Sequence, residues 1–311
     1  MYKNHRIGVV IPAYNVASHV ADVVKTLPQF VDRVVLVDDC GTDGTSQLLG
    51  TLERIGVMVV RHAVNQGVGA AMVSGFKQAL HEGVDIVVKM DGDGQMDPTY
   101  LPLLLDPIVD QRCGYAKGNR FLDNRALESM PVTRLIGNYG LTFLTKLASG
   151  YWHIFDPQNG YLAIHAGTLQ RMDLDHLAKR YFFENDMLVH LNILGVRIKD
   201  VSIPARYGDE QSSMRMSEIL LTFPRYLFGR FWYRVYQKHI LRDFSPIALF
   251  WVSGIPLLMW GGGFGAYTWA KSFLTGQLAT TGTVMLSVLP FLLGFQLMLQ
   301  AILLEIAESP K

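Results

Sequence analysis

The chain has 311 residues, half of them hydrophobic, and its 28 Lys and Arg against 27 Asp and Glu leave a formal charge of +1. That length accommodates one large domain or two ordinary ones, and the near-balanced charge argues against the basic excess of a nucleic-acid binder and shows no acidic tail. The two cysteines, Cys40 and Cys113, form neither a CxxC pair nor a Cys/His cluster, which argues against a disulfide framework or structural zinc and fits a reducing, cytosol-facing location.

The first segment, MYKNHRIGVVIPAYN, has an apolar run that meets Pro12 and Asn15 too early for a signal-peptide core, so no cleaved leader is expected. Up to about Asp110, short apolar runs alternate with helix-like segments: RIGVVIP and VASHVADVVKTL, RVVLVDD and TSQLLGTLERIG, VMVVRH and VGAAMVSGFKQALHEG, DIVVKMD and TYLPLLLDPIVD. This rhythm predicts an α/β fold with a parallel sheet covered by helices, and the absence of polar alternation in the strands predicts burial on both faces. Beyond Tyr115 the rhythm loosens into KGNRF, a helix near Val132 to Ser149, a strand in NGYLAIHA, a helix in NDMLVHLNILG and a strand in VRIKDVSIPA. From about Ser217 to Phe244, aromatics interleave with arginines. The pattern predicts amphipathic helices on a membrane surface, broken near Pro224, with a helix packed on the soluble domain as the competing reading.

No charged side chain occurs from Phe244 to Ala270 or from Ser272 to Leu304. A membrane span takes about 20 apolar residues, so two spans are expected at about 247–270 and 283–304. Arg225, Arg230, Arg234, Lys238 and Arg242 precede the first, whereas only Lys271 lies between them. The positive-inside rule then places both ends of the hairpin, and the soluble part, in the cytosol. The expected organisation is a soluble α/β domain over 1–215, juxtamembrane helices over 216–243 and a transmembrane hairpin over 244–311. A multi-pass protein of a bacterial or archaeal inner membrane fits, and association into a homo-oligomer is compatible with it.

In open α/β sheets ligands bind beyond the carboxyl ends of the strands. Those ends read PAYN (Pro12 to Asn15), DDCGTDGT (Asp38 to Thr45), HAVNQGVG (His62 to Gly69) and DGDGQMDP (Asp91 to Pro98). Turn chemistry explains any one of them, but not four in succession with two carboxylate pairs. Asp91 and Asp93 relieve their repulsion by sharing a divalent cation, and hard oxygen ligands select Mg²⁺ or Mn²⁺. A calcium loop starting at Asp91 fails, because Met96 falls where glycine is required and Pro102 where the bidentate glutamate belongs. Mg²⁺ completes its shell with water and substrate phosphate, so a phosphorylated ligand is expected. Neither GxxxxGK(S/T) nor a GxGxxG after a strand is present; Gly67 and Gly69 read as close helix-to-strand packing, and Cys40 as inert packing.

VVIPAYN, VLVDDCGTDGT, NQGVGAA, VVKMDGDGQMDP, GNRF and DPQNGY, in that order, resemble the family 2 glycosyltransferases with a GT-A fold, over essentially the whole cytosolic part. With two C-terminal spans the chain looks most like the membrane-anchored polyprenyl-phosphate and dolichyl-phosphate sugar synthases. The resemblance implies inverting transfer of a sugar from a UDP- or GDP-sugar to a polyprenyl phosphate, undecaprenyl or dolichyl. It implies donor binding by Pro12, Tyr14, Asp39, Asp91 and Arg120, with Arg206 and Ser213 in a closing basic loop near Arg215. It places the metal on Asp91, Asp93 and Gln95, and catalytic roles on Arg134, Asp156, Glu184 and Asp186. Val16 stands where the family often has an acid, which departs from its base-recognition pattern. A lipid phosphate, with a second pKa of about 6, is already largely ionised and needs no general base. A glycan or glycolipid hydroxyl would need one, from Asp156 or the Glu184/Asp186 pair. A non-catalytic membrane-bound nucleotide-sugar partner is a third reading, against which the intact DGDGQ speaks.

Overall fold

The computed structural model describes residues 1–54, 56–120, 132–204 and 216–310, excepting the side chains of 132–136, 138 and 216–221. Contacts divide it into two units, one of Met1–Phe231 with the last two residues, the other of Trp232–Ser309.

In the first unit, β1 (Ile7–Ala13), β2 (Val31–Asp38), β3 (Met58–Arg61), β4 (Ile86–Lys89), β5 (Tyr115–Asn119), β6 (Leu162–His165) and β7 (Ile198–Ser202) form one sheet in the order β3-β2-β1-β4-β6-β5-β7. Only β6 runs antiparallel to its neighbours β4 and β5; the other pairings are parallel. The helices are α1 (Val20–Thr26), α2 (Thr45–Glu53), α3 (Val68–His81), α4 (Leu101–Val109), α5 (Val132–Ser149), α6 (Ala166–Arg171) and α7 (Phe183–Ile193). Both sheet faces are covered, as the continuous apolar strands require. On one, Val10, Val37, Val87 and Leu162 pack with Ala71, Met72 and Phe76 of α3 and Phe183, Met187 and Leu191 of α7. On the other, Val9, Ile11, Leu36 and Val88 pack with Val20, Leu49, Leu101 and Leu104 of α1, α2 and α4.

The order β2-β1-β4 reverses the direction of winding beside β1, so the crevice beyond the ends of β1 and β4 is where such a sheet binds ligands. Across the sheet from there, Leu162 is in register with both Lys89 and Lys117, and Lys117 with Asp200. Registered neighbours share a face. A row of two lysines and one aspartate therefore runs along the α3/α7 side of an otherwise apolar sheet.

The last helix to begin in this unit, α8 (Met216–Arg234), contains Pro224 without ending there, which corrects the expected break. Packing holds it: Phe223, Leu227 and Phe231 form a buried stripe, and Phe182 meets the rings of Phe223 and Tyr226 at centroid distances of 5.3 and 5.4 Å. One face of the helix is thus packed through Phe182, while Tyr226 and Phe228 remain exposed.

In the second unit a π-helical segment (Val235–Arg242) precedes α9 (Pro246–Thr275) and α10 (Thr281–Ala307), both long and apolar enough to cross a membrane. Each outruns the charge-free window. Lys271 lies within α9, which Gly276 ends at φ 66°, and Glu305 lies within α10 and pairs with Arg234 at 2.9 Å, both side chains buried. Glycines let the two helices touch: a Cβ at Gly261 would lie 2.4 Å from the Phe291 nitrogen, and one at Gly294 2.5 Å from that of Leu258.

Candidate active site

Three strand ends are tied together at the switch point. The Asn15 side-chain oxygen accepts from the Thr42 N–H at 2.8 Å, Val16 N–H donates to Thr45 Oγ1 at 3.0 Å, and Ala17 N–H donates to an Asp43 oxygen at 3.0 Å. Gly92, between the two acids of DGD, sits where a Cβ would be 3.2 Å from Val16 and 3.4 Å from the Pro12 carbonyl. PAYN, DDCGTDGT and DGDGQ thus form one rim, with Pro12 half-buried and Tyr14 48 % exposed on it. Cys40 is exposed at φ 61° with its N–H on Asp38, a turn residue rather than the inert packing residue expected.

Asp39 is buried beneath this rim and fully engaged. One oxygen is 2.7 Å from His62 Nδ1 and accepts the Gln66 N–H, and the other accepts the Gly67 N–H at 2.8 Å. His62 Nε2 reaches Ser74 Oγ on α3 at 2.9 Å. Asp39 therefore fixes the glycine-bearing loop. Gly67 has φ 96°, and a Cβ there would lie 2.6 Å from the Lys179 carbonyl; at Gly69 it would lie 2.1 Å from that of Ala178. This corrects the expected helix-to-strand role. The two glycines admit the 178–180 backbone, and it is Gly75, facing Val10 and Val37, that lets α3 lie on the sheet.

At the end of β4, the Lys89 ammonium is buried, 2.7 Å from Asp91 Oδ1 and 3.3 Å from Glu184 Oε1 at the start of α7. Burial alone would lower the Lys89 pKa, but the charges of Asp91 and Glu184 raise it above the ordinary lysine value. Gly160 of DPQNGY closes over the pair: a Cβ there would be 2.3 Å from Nζ and 3.1 Å from Asp91 Oδ2. Asp93 accepts the Gln95 N–H at 3.0 Å, so these two residues sit in one turn beside Asp91. Among the described residues no three His, Cys, Asp or Glu side chains converge on a point. The carboxylates of DGDGQ, Asp91 and Asp93, stand at the end of β4. That fits a cation which keeps water and substrate phosphate in its shell, Mg²⁺ or Mn²⁺, and not a closed protein cage.

Asp156 lies on the loop before β6, buried, and accepts Arg120 Nε at 2.8 Å, Nη2 at 3.0 Å and the Arg120 backbone N–H at 3.1 Å. Lys117 Nζ donates to the Asp156 carbonyl. Burial raises the Asp156 pKa, yet Arg120 and Lys117 outweigh it and hold the carboxyl below the usual carboxylate range. Lys117 itself is pulled down to about 8 by burial, although Asp156, Asp200 and Glu184 surround it. Of the two acids opening α7, Glu184 joins the Lys89 cluster while Asp186 turns away from it. Asp186 accepts Arg230 Nη2 at 2.8 Å and the Ala178 N–H at 2.8 Å, with Arg230 Nε 2.7 Å from its other oxygen. Burial raises the Asp186 pKa despite Arg230. Beside them a cleft of about 560 Å³ is lined by Lys179, Arg180, Phe182, Arg225, Tyr226 and Arg230.

Arg206, Ser213 and Arg215 lie outside the described residues, as does the side chain of Arg134 on α5. The structure thus brings Asp91, Asp93, Gln95 and Glu184 to one strand end and sets Asp156 with Arg120 at the end of β5. Lys89, Lys117 and Gly160 escaped the sequence reading. A lysine inside IVVK or YAKGN was the available signal, since strand interiors buried on both faces seldom hold one.

The model of the family described as Glycosyl transferase family 2 matches residues 8–172. The chain belongs to this family. Relatives include UDP-N-acetylglucosamine–dolichyl-phosphate N-acetylglucosaminyltransferase of Methanococcus voltae, 31 % identical over 70 % of this chain and 92 % of that protein. Undecaprenyl-phosphate mannosyltransferase of Micrococcus luteus is 30 % identical over 64 % of this chain and 82 % of that one. The fold matches glucosyl-3-phosphoglycerate synthase of Mycobacterium tuberculosis, solved with Mn²⁺, UDP-glucose and phosphoglyceric acid, at a TM-score of 0.52 and 21 % identity, covering 74 % of this chain and 80 % of that one. This family 2 member is a glycosyltransferase with a GT-A fold and two C-terminal apolar helices that are candidate membrane spans.

Proposed function

We propose that the enzyme moves a sugar, with inversion, from a nucleoside-diphosphate sugar to a polyprenyl phosphate at the cytosolic face of a membrane, using Mg²⁺ or Mn²⁺. The observation that carries this reading is that every described candidate base is already committed: Asp156 to Arg120, Glu184 to Lys89 and Asp186 to Arg230. A hydroxyl acceptor would need a free base within reach, whereas an ionised phosphate attacks without one. The relatives named for transfer to dolichyl or undecaprenyl phosphate agree.

Asp91 and Asp93, with Gln95 in the same turn, would hold the cation. When bound, it supplies Lewis-acid stabilisation of the departing nucleoside diphosphate. Pro12 and Tyr14 line the rim that receives the nucleotide, and Asp39 acts by fixing the loop at Gly67 below it. Arg120, 40 % exposed at its side chain and oriented by buried Asp156, would bring its positive charge to a donor phosphate. The cation-lined cleft under α8, whose chain runs on toward the first apolar helix, suits an anionic lipid head group. Arg225→Gln is expected to raise the KM for lipid several-fold while leaving the donor KM within twofold.

The deciding assay is radiolabel transfer from a panel of nucleotide-sugars into organic-extractable lipid, with full-length protein in detergent, undecaprenyl phosphate and Mg²⁺ or Mn²⁺. One donor should label the lipid, and EDTA or Asp93→Ala should abolish the label. A donor that binds with metal but labels no lipid would eliminate the polyprenyl-phosphate acceptor.

A further inference from the structure

Resting on the cation reading of DGDGQ, we infer that Lys89 and Glu184 form a buried positioning relay for the cation site. Lys89 holds one oxygen of Asp91 so that the other is presented to the cation, and Glu184 anchors Lys89 instead of serving as a base.

The lysine sits at the last position of β4, in register with Leu162, on the mainly apolar sheet face that α3 and α7 cover and that Lys117 and Asp200 share. An apolar residue would fill that position without the cost of desolvating an ammonium, so a lysine there has work beyond packing. Its Nζ lies 2.7 Å from Asp91 Oδ1 and 3.3 Å from Glu184 Oε1, with 2 % of the side chain exposed. The two carboxylates come from different elements, the loop after β4 and the first turn of α7, and the ammonium is what joins them. Asp91 keeps 34 % of its side chain exposed while Glu184 keeps 12 %, so the relay points outward through Asp91. Gly160 blocks alternatives, because the space a side chain would take is occupied by Nζ and bordered by Asp91 Oδ2.

Charge supports the same assignment. Asp91, Asp93 and Glu184 would place three negative charges at one strand end, and Lys89 leaves two, the number a divalent cation neutralises. Groups that orient a metal ligand in this way typically contribute 10–100-fold to metal affinity.

The test is Mn²⁺ binding, read from the free-ion electron paramagnetic resonance signal with UDP or GDP present, on full-length protein in detergent. Wild type is compared with Glu184→Gln and with the double variant Lys89→Met/Glu184→Gln, which keeps the local net charge. The double variant should bind Mn²⁺ about 10–100-fold more weakly. Glu184→Gln alone should lie between, with its activity restored in part by excess Mn²⁺ and its pH–rate profile unchanged. If the double variant does not fold, Glu184→Gln carries the comparison. Wild-type affinity in a folded variant overturns the relay and leaves the transferase reading standing. So does loss of turnover by Glu184→Gln at saturating Mn²⁺ together with loss of one limb of the pH profile, which would make Glu184 the base. No Mn²⁺ binding by wild type overturns the cation reading itself.

Discussion

Asp156 shows how a residue's chemistry depends on its partners. An isolated Asp-Pro reads as a turn, yet here a buried carboxylate accepts three hydrogen bonds from Arg120 and is held below its usual range once Arg120 and Lys117 outweigh burial. A carboxyl whose folded pKa lies below its ordinary value contributes stability that is complete above that ordinary value and is lost as pH falls through the depressed one. Asp156→Asn should therefore lower stability by about 2 kcal/mol, between an exposed and a buried pair because Arg120 is partly exposed. The gap to wild type should stay constant from about pH 8 to pH 5 and close only in stronger acid, as thermal unfolding across that range would show. The acids of the site were legible in the sequence because they close predicted strands. Lys89 was not, since its meaning comes from Glu184, 95 positions away in sequence and adjacent only after α7 packs on the sheet.

At the scale of elements, the strands of the first unit fall where hydrophobic runs and turn residues placed them, and α5 spans Val132–Ser149 as expected, whereas the short α6 (Ala166–Arg171) was not foreseen. Their contacts were less legible. Gly67 and Gly69 looked like helix packing, but they make room for the backbone leading into α7. Gly69→Ala should cost about 1–3 kcal/mol, because its Cβ meets a carbonyl that cannot rotate away; a fall in Tm without change in Mn²⁺ affinity of the folded fraction is the expected result. Gly160→Ala should do the reverse, lowering transfer at least tenfold with a small change in Tm, because the new Cβ displaces the Lys89 ammonium rather than backbone. Equal transfer by Gly160→Ala and wild type would remove the steric argument. Pro224 misled the boundary of α8 because local propensity predicts a break, while the buried stripe of Phe223, Leu227 and Phe231 stabilises the continuous helix.

Across the molecule, the second unit carries its own test of packing. Arg234 and Glu305 form an ion pair with each side chain 1 % exposed. Glu305→Ala should destabilise by about 3–5 kcal/mol by removing the carboxylate that faces a buried guanidinium, and Arg234→Met with Glu305→Leu should recover most of it. Thermal unfolding in detergent would measure both, and a neutral Glu305→Ala would mean that the pair is solvated. By itself the sequence determined the alternation of strand and helix, the two apolar helices and the carboxylates at the strand ends. Each of these follows from local hydrophobic period, turn chemistry and span length, which neighbouring residues set. Only the tertiary structure decided which charges meet. Lys89 with Asp91 and Glu184, Arg120 with Asp156, and Arg230 with Asp186 are pairs of distant residues, brought together by strand order and helix packing that no short stretch of sequence encodes.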